Sequence, residues 1–170
     1  MGVGKSSLTY RYINNEFPAV QNDTIEDRII NQAKIEDKLY KIEILDTAGE
    51  DDYPQMLDMW INYAEGFLLV FAINDKNSFD LIPEKRDHII KGKQVGSCPM
   101  ILVGNKQDLT NNREVSYEEA KKLADSWNID YIETSAKTNF NCKETFEQLA
   151  VKIYESRPKI KGSSCPCSIY

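Results

Sequence analysis

Four short stretches carry side chains that can do chemistry, and each stands at the end of an extended run or the start of a helix. Gly2-Val3-Gly4-Lys5-Ser6 opens the first, with Ser7 behind it. Glycines at that spacing let backbone N–H groups close on a phosphate. A helix starting there turns its positive N-terminus to the same spot. Lys5 then reaches the β- and γ-phosphates, and the Ser6 hydroxyl serves Mg²⁺. An ordinary glycine turn capping a helix has the same composition. The second stretch, Asp46-Thr47-Ala48-Gly49-Glu50, ends an alternating run. It puts a carboxylate where Mg²⁺ can be held through water and the Gly49 N–H where it can meet a γ-phosphate; the same letters also make a plain turn. The third is Asn105-Lys106-Gln107-Asp108, directly after the apolar run MILVG. A carboxylate at the mouth of a parallel sheet accepts both N1–H and the 2-amino group of guanine. Adenine lacks that donor pair and leaves the acid unpaired, which is how polar pockets reject analogues strongly. The fourth is Thr134-Ser135-Ala136-Lys137. Each has a plain structural explanation alone. Together, in this order and each at a strand's end, they fit the crevice at the carboxyl ends of an open α/β sheet.

The elements that must position them are visible in the periodicity. Residues 28–45 read as two extended runs joined by a turn at Glu36-Asp37-Lys38; Tyr40, Ile42 and Ile44 alternate with Lys41 and Glu43. GFLLVFAI (66–73) and MILVGN (100–105) are continuous apolar runs, as in strands buried on both faces of a parallel sheet. Asp130 to Glu133 is a shorter one. Ser116 with Glu119 spells a capping box, and Asn141 with Glu144 a similar helix start. Phe146, Leu149, Ala150, Ile153 and Tyr154 then fall on one helical face. Alternating strands and helices imply an α/β three-layer sandwich with right-handed crossovers. From about Pro158 the chain turns polar and small, so 1–157 is read as one domain and 158–170 as a flexible tail.

The totals exclude several classes. A chain of 170 residues with 41% apolar content has the size and composition of one soluble domain. A net charge of -6 argues against nucleic-acid binding as the main activity. No apolar run reaches a membrane-spanning length, and the N-terminus lacks the apolar core of a signal peptide. The four cysteines form neither a disulfide framework nor a zinc spacing. His88, the only histidine, is read as surface, and Trp60 and Trp127 as core or groove packing.

On the stretches DTAG, NKQD and ETSAK, with TIED at 24–27, the chain resembles the small GTPases of the Ras superfamily, and the Ras subfamily most, from Gly2 to about Arg157. The resemblance implies a P-loop NTPase sandwich with a mostly parallel sheet and one antiparallel strand. It also implies GTP and GDP as ligands with Mg²⁺, and a slow GTPase acting as a signalling switch. Position by position, Gly2, Val3, Gly4, Lys5, Ser6 and Ser7 would form the phosphate loop. Thr24, with Ser6 and Asp46, would serve Mg²⁺, and Phe17 would lie edge-on against the guanine. Asn105, Lys106 and Asp108 would read the base, backed by Ser135, Ala136 and Lys137. The catalytic set would be Lys5, Thr24, Gly49 and Glu50. Asp23, Thr24, Ile25, Glu26, Asp27, Arg28 and Ile29 match the effector-binding stretch. Exchange factors, GTPase-activating proteins and effector proteins are the implied partners.

Three departures from the family pattern carry expectations of their own. The full loop is GxxxxGK[ST], and its first glycine, with the central strand that feeds it, would precede Met1. Loss of that strand removes several buried side chains at about 1.5–3 kcal/mol each, against a total stability of about 5–15 kcal/mol. A chain lacking it is expected to fold poorly, bind nucleotide weakly or be non-functional. Glu50 stands where the family has a glutamine that orients the attacking water. Glutamate accepts from water but does not donate, which leaves a hydrolysis-impaired binding module as the alternative function. Gln21 and Asp23 replace a tyrosine and a proline of the first switch. The final Cys167-Ser168-Ile169-Tyr170 has the shape of a prenylation box, with Cys165 as a palmitoylation site. Arg157, Lys159 and Lys161 add attraction to an anionic leaflet, so the expected location is the cytoplasmic side of a membrane.

Overall fold

The computed structural model describes residues 2–19, 26–35, 37–47, 54–93 and 98–157. In chain order these give α1 (Lys5–Asn14), β1 (Glu26–Ile35), β2 (Lys38–Thr47), α2 (Pro54–Tyr63), β3 (Phe67–Ala72), α3 (Lys76–Asp80) and α4 (Ile82–Lys93). They continue with β4 (Met100–Asn105), a 3-10 segment (Gln107–Asn112), α5 (Tyr117–Ser126), β5 (Asp130–Glu133) and α6 (Cys142–Ser156). The two apolar runs are β3 and β4, and they pair in parallel from Phe67↔Met100 to Ala72↔Asn105. β5 joins the far edge of β4, from Ile101↔Asp130 to Gly104↔Glu133. The alternating segments form an antiparallel hairpin, Glu26↔Thr47 to Ile35↔Lys38. Lys38 is therefore the first residue of β2 rather than the last of the turn.

Strand alternation divides the interior into two cores. Leu69 and Phe71 of β3 and Met100 and Leu102 of β4 face a core completed by Ile61, Phe79, Ile82, Ile89, Ala120 and Ala124 of the helices. Val70 and Ala72, with Ile101 and Val103, face the other way. They meet Tyr40, Ile42 and Ile44 of β2, Leu8 of α1, and Phe146, Leu149 and Ala150 of α6. Helices on both faces of the strands make the three layers expected of an α/β sandwich. Tyr12 stacks on Phe146 at 4.5 Å and fastens α1 to α6.

The fold expected from the sequence, a mostly parallel sheet with an antiparallel strand and without the central strand, stands as a parallel three-stranded sheet and an antiparallel pair. Among the described residues β1-β2 form one sheet and β3-β4-β5 another, and β2 does not pair with β3. The break falls inside the expected sheet, the region where the family resemblance puts its central strand. Side chains carry the core across it: Ile42 and Ile44 share a cluster with Val70 and Ala72.

Both helices start where the sequence puts them, after Ser116 and after Asn141, but only the first has a side-chain cap. The Ser116 hydroxyl accepts the Glu119 N–H at 3.1 Å, as a cap should, but the Glu119 carboxylate turns away to Lys76. Asn141 is not a side-chain cap. It is left-handed (φ 53°) and makes no capping bond; its Nδ2 donates instead to Glu133 O at 2.9 Å, because that backbone turns the amide back to β5. Trp60 is buried and Trp127 half-buried beneath Arg86. His88 is exposed, as expected, though its Nε2 lies 2.9 Å from Asp58 on α2. No helix among the described residues is long and apolar enough to cross a membrane.

Candidate functional site

The glycine loop owes its shape to two backbones at positive φ, Gly2 (+23°) and Gly4 (+90°). Gly4 is the N-cap of α1. A Cβ there would lie 2.6 Å from Asn105 Nδ2, so both the conformation and the space require glycine. Lys5 and Ser6 lie in the first turn of α1, half-exposed, and Ser7 behind them is buried. The positive end of the helix dipole points at the loop.

Asn105 ends β4 at 1% exposure. Its Nδ2 donates to Val3 O at 2.9 Å and Gly4 O at 3.4 Å, and its Oδ1 accepts the Thr134 hydroxyl at 3.1 Å. A single side chain thus ties the phosphate loop to the segment carrying Ser135, Ala136 and Lys137. The sequence marks Asn105 as a base-reading residue; in the structure its amide holds the three motifs together. Lys106 is left-handed (φ 65°), which starts the 3-10 segment. The Gln107 N–H donates to Thr134 O at 2.9 Å. Asp108, half-buried, accepts the Ser135 hydroxyl at 2.6 Å. Ala136 is buried and Lys137 exposed.

Asp46 sits at the carboxyl end of β2, 6% exposed, and β2 packs against α1. A buried carboxylate near the helix that carries Ser6 offers hard oxygen ligands. That suits Mg²⁺, which takes few protein ligands and keeps phosphate and water for the rest. Phe17 follows α1 at 40% exposure. In β1, Glu26 and Asp27 occupy the first two strand positions, Arg28 is exposed and Ile29 half-buried. Asp23, Thr24, Ile25, Gly49, Glu50, Cys165 and Cys167 lie outside the described residues.

Beneath the base motif the Arg113 guanidinium grips both Glu133 carboxylate oxygens, at 2.7 and 2.9 Å. The Tyr131 hydroxyl donates to the same carboxylate at 2.9 Å. Burial, followed by the Glu133 charge, pushes Tyr131 far above its ordinary value, so the hydroxyl stays a donor. Burial likewise pushes the Cys142 thiol up to about 11, and it donates to Ser135 O at 3.2 Å. In the sequence Thr134 starts the fourth motif but has no role of its own. Nothing there signals Arg11, which donates to Ala136 O and Lys137 O, or Asn139, which donates to Asn15; both look like surface polar residues until the chain is folded.

The alternating strands and helices, with a glycine loop opening α1, are consistent with a P-loop domain of the GTPase type. A family model described as the Ras family matches residues 1–155. "Ras-like protein RAS2" of Hydra vulgaris is 44% identical over 152 residues, covering 89% of this chain and 79% of its own length. "Ras-like protein 2" of Drosophila melanogaster is 43% identical over 148 residues, 87% of this chain and 77% of the relative. "Ras-like protein rasV" of Dictyostelium discoideum is 40% identical over 163 residues, 95% and 71% respectively. The chain belongs to the Ras family, and at family level it is a small GTPase.

Proposed function

We propose that the chain is a guanine-nucleotide switch that binds GTP with Mg²⁺ and hydrolyses it slowly to GDP. The observation that supports this most is the Asn105 side chain, bonded at once to the glycine-loop carbonyls and to Thr134. It draws the phosphate motif and both base motifs toward one crevice. In this reading the N–H groups of Gly2 to Ser7 cradle the phosphates, and Lys5 neutralises charge at the β- and γ-positions. Asp108, oriented by Ser135, accepts the two guanine donors. Ser6, Thr24 and Asp46 hold Mg²⁺, directly or through water. Mg²⁺, when bound, would supply positive charge that offsets the charge building on GDP as the γ-phosphoryl passes to water. Gly49 meets the γ-phosphate and Glu50 faces the attacking water.

The family also implies exchange factors, activating proteins and effectors. Residues 23–29 would meet effectors, and lipidation at Cys167 and Cys165 would bring the chain to the cytoplasmic face of a membrane. A second reading is a binding module that scarcely hydrolyses, favoured by Glu50 in place of a glutamine that both accepts from and donates to water. Displacement of a fluorescent GDP analogue tests the first reading. GDP and GTP should compete and ATP should be weaker by roughly ten-thousand-fold; equal competition by ATP would contradict it. Single-turnover hydrolysis then separates the two readings.

A further inference from the structure

Three consecutive carbonyls, those of Ser135, Ala136 and Lys137, are each held by a side chain from a helix. Ser135 O accepts the Cys142 thiol. Ala136 O accepts Arg11 Nε at 2.7 Å, and Lys137 O accepts Arg11 Nη2 at 3.0 Å. The remaining guanidinium nitrogen, Nη1, donates to Asn15 O at 2.8 Å, at the C-terminus of the same helix. Asn139 Nδ2 returns a bond to Asn15 Oδ1 at 2.9 Å. One planar fork therefore locks α1 to a loop 125 residues away.

This lock reaches the base-reading carboxylate. Ser135 leads the held segment and grips Asp108 at 2.6 Å. Charge-assisted bonds are about twice as strong as neutral ones, and the rigid guanidinium fixes the spacing of its two acceptors in a way an ammonium does not. Arg11 also lies on the helix that Lys5 begins, about 9 Å along its axis. The phosphate end and the base end of the crevice are thus joined by α1.

We propose that Arg11 is a positioning residue for guanine recognition: by pinning residues 136 and 137 it sets the register of Ser135 and Asp108, and so the residence time of the nucleotide and its discrimination by the 2-amino group. The proposal rests on the guanine-nucleotide reading above. It is tested on the full 170-residue chain as Arg11→Ala and Arg11→Lys, the latter keeping charge and stem should the alanine variant not fold. Fluorescent GDP and its inosine counterpart, which lacks the 2-amino group, are chased from each protein. A general loosening speeds both releases by one factor. A displaced Asp108 speeds GDP release more, because inosine diphosphate already forgoes one of the two bonds. GDP release should rise about tenfold, the equivalent of about 1.4 kcal/mol, in both variants, and the inosine-to-guanine ratio of release rates should fall. An unchanged ratio overturns the proposal.

Should the unmutated chain hold no guanine nucleotide, the functional reading fails on its own, and hydrogen exchange decides on Arg11. The Thr138 and Phe140 amides donate to Ser135 Oγ and Ser135 O, each at 3.1 Å. They should lose protection in the Arg11 variants while α5 keeps its own. Retained protection at both amides overturns the proposal.

Discussion

Gly4 and Asn105 are two halves of one contact, and each is sensitive for a different reason. Gly4→Ala puts a Cβ into left-handed backbone and against the Asn105 amide. We expect a loss of about 1–3 kcal/mol for the conformation alone, read from urea denaturation, together with weakened nucleotide affinity. Asn105→Ala removes a donor to Val3 O and an acceptor for the Thr134 hydroxyl in a fully buried setting. Leaving such groups unpaired costs about 1–3 kcal/mol. An alanine variant as stable as the parent would refute the hub role of Asn105. The residue types of this candidate site were legible in the sequence because four motifs, each with a plain explanation alone, stand in one order at the ends of strands and the start of a helix. What Asn105 bonds to was not, because Val3 lies 102 residues away and Thr134 29.

At the scale of elements, α2 is clasped from both sides. On one side His88 of α4 faces Asp58, and Lys93 Nζ donates to Asn62 O at 2.9 Å. On the other, Arg28 of β1 pairs with Glu43 of β2 and donates to the Tyr63 hydroxyl at 2.8 Å. That hydroxyl donates on to Glu43, also at 2.8 Å. Burial works to raise Glu43, but the bonds from Arg28 and Tyr63 and the Arg28 charge outweigh it and hold the carboxyl below its ordinary 4.5. A depressed acid gives stability that is present above its unfolded value and lost as pH falls through its folded one. The stability gap between the parent and Glu43→Gln should hold from neutral pH down to about 4.5 and close below that. A gap that persists in stronger acid would contradict the clasp. Elsewhere, Ser116→Ala should cost about 1 kcal/mol through α5, as loss of a cap does. The strands and α5 could be read from alternation, apolar runs and that cap. The start of α6 at Asn141 could be read as well; what could not is the left-handed turn there and the bond of its amide to β5, which tertiary packing sets in place of a side-chain cap.

At the scale of the molecule, the two sheets formed by the described residues share a core that passes between them through side chains rather than through a ladder of backbone bonds. The sequence displays the layers, since period-two and continuous apolar runs distinguish the hairpin from the parallel strands. The break between β2 and β3 is a property of pairing between distant segments, which no periodicity reports. In the proposed function the nucleotide bridges motifs carried by α1, β4 and the segment after β5, so binding and folding are linked. Guanine nucleotide at about a thousand times its dissociation constant should add about 4 kcal/mol of stability, visible as a rise in Tm that ATP does not produce. The most direct measurement is the nucleotide content of the purified chain: isolate the monomer by size exclusion, denature it, and resolve the released nucleotides by ion exchange. A guanine-nucleotide switch should release GDP or GTP approaching one per chain, contrary to the weak binding expected from the sequence. A folded monomer that releases none and takes up none on incubation with GDP and Mg²⁺ would contradict the guanine-nucleotide reading.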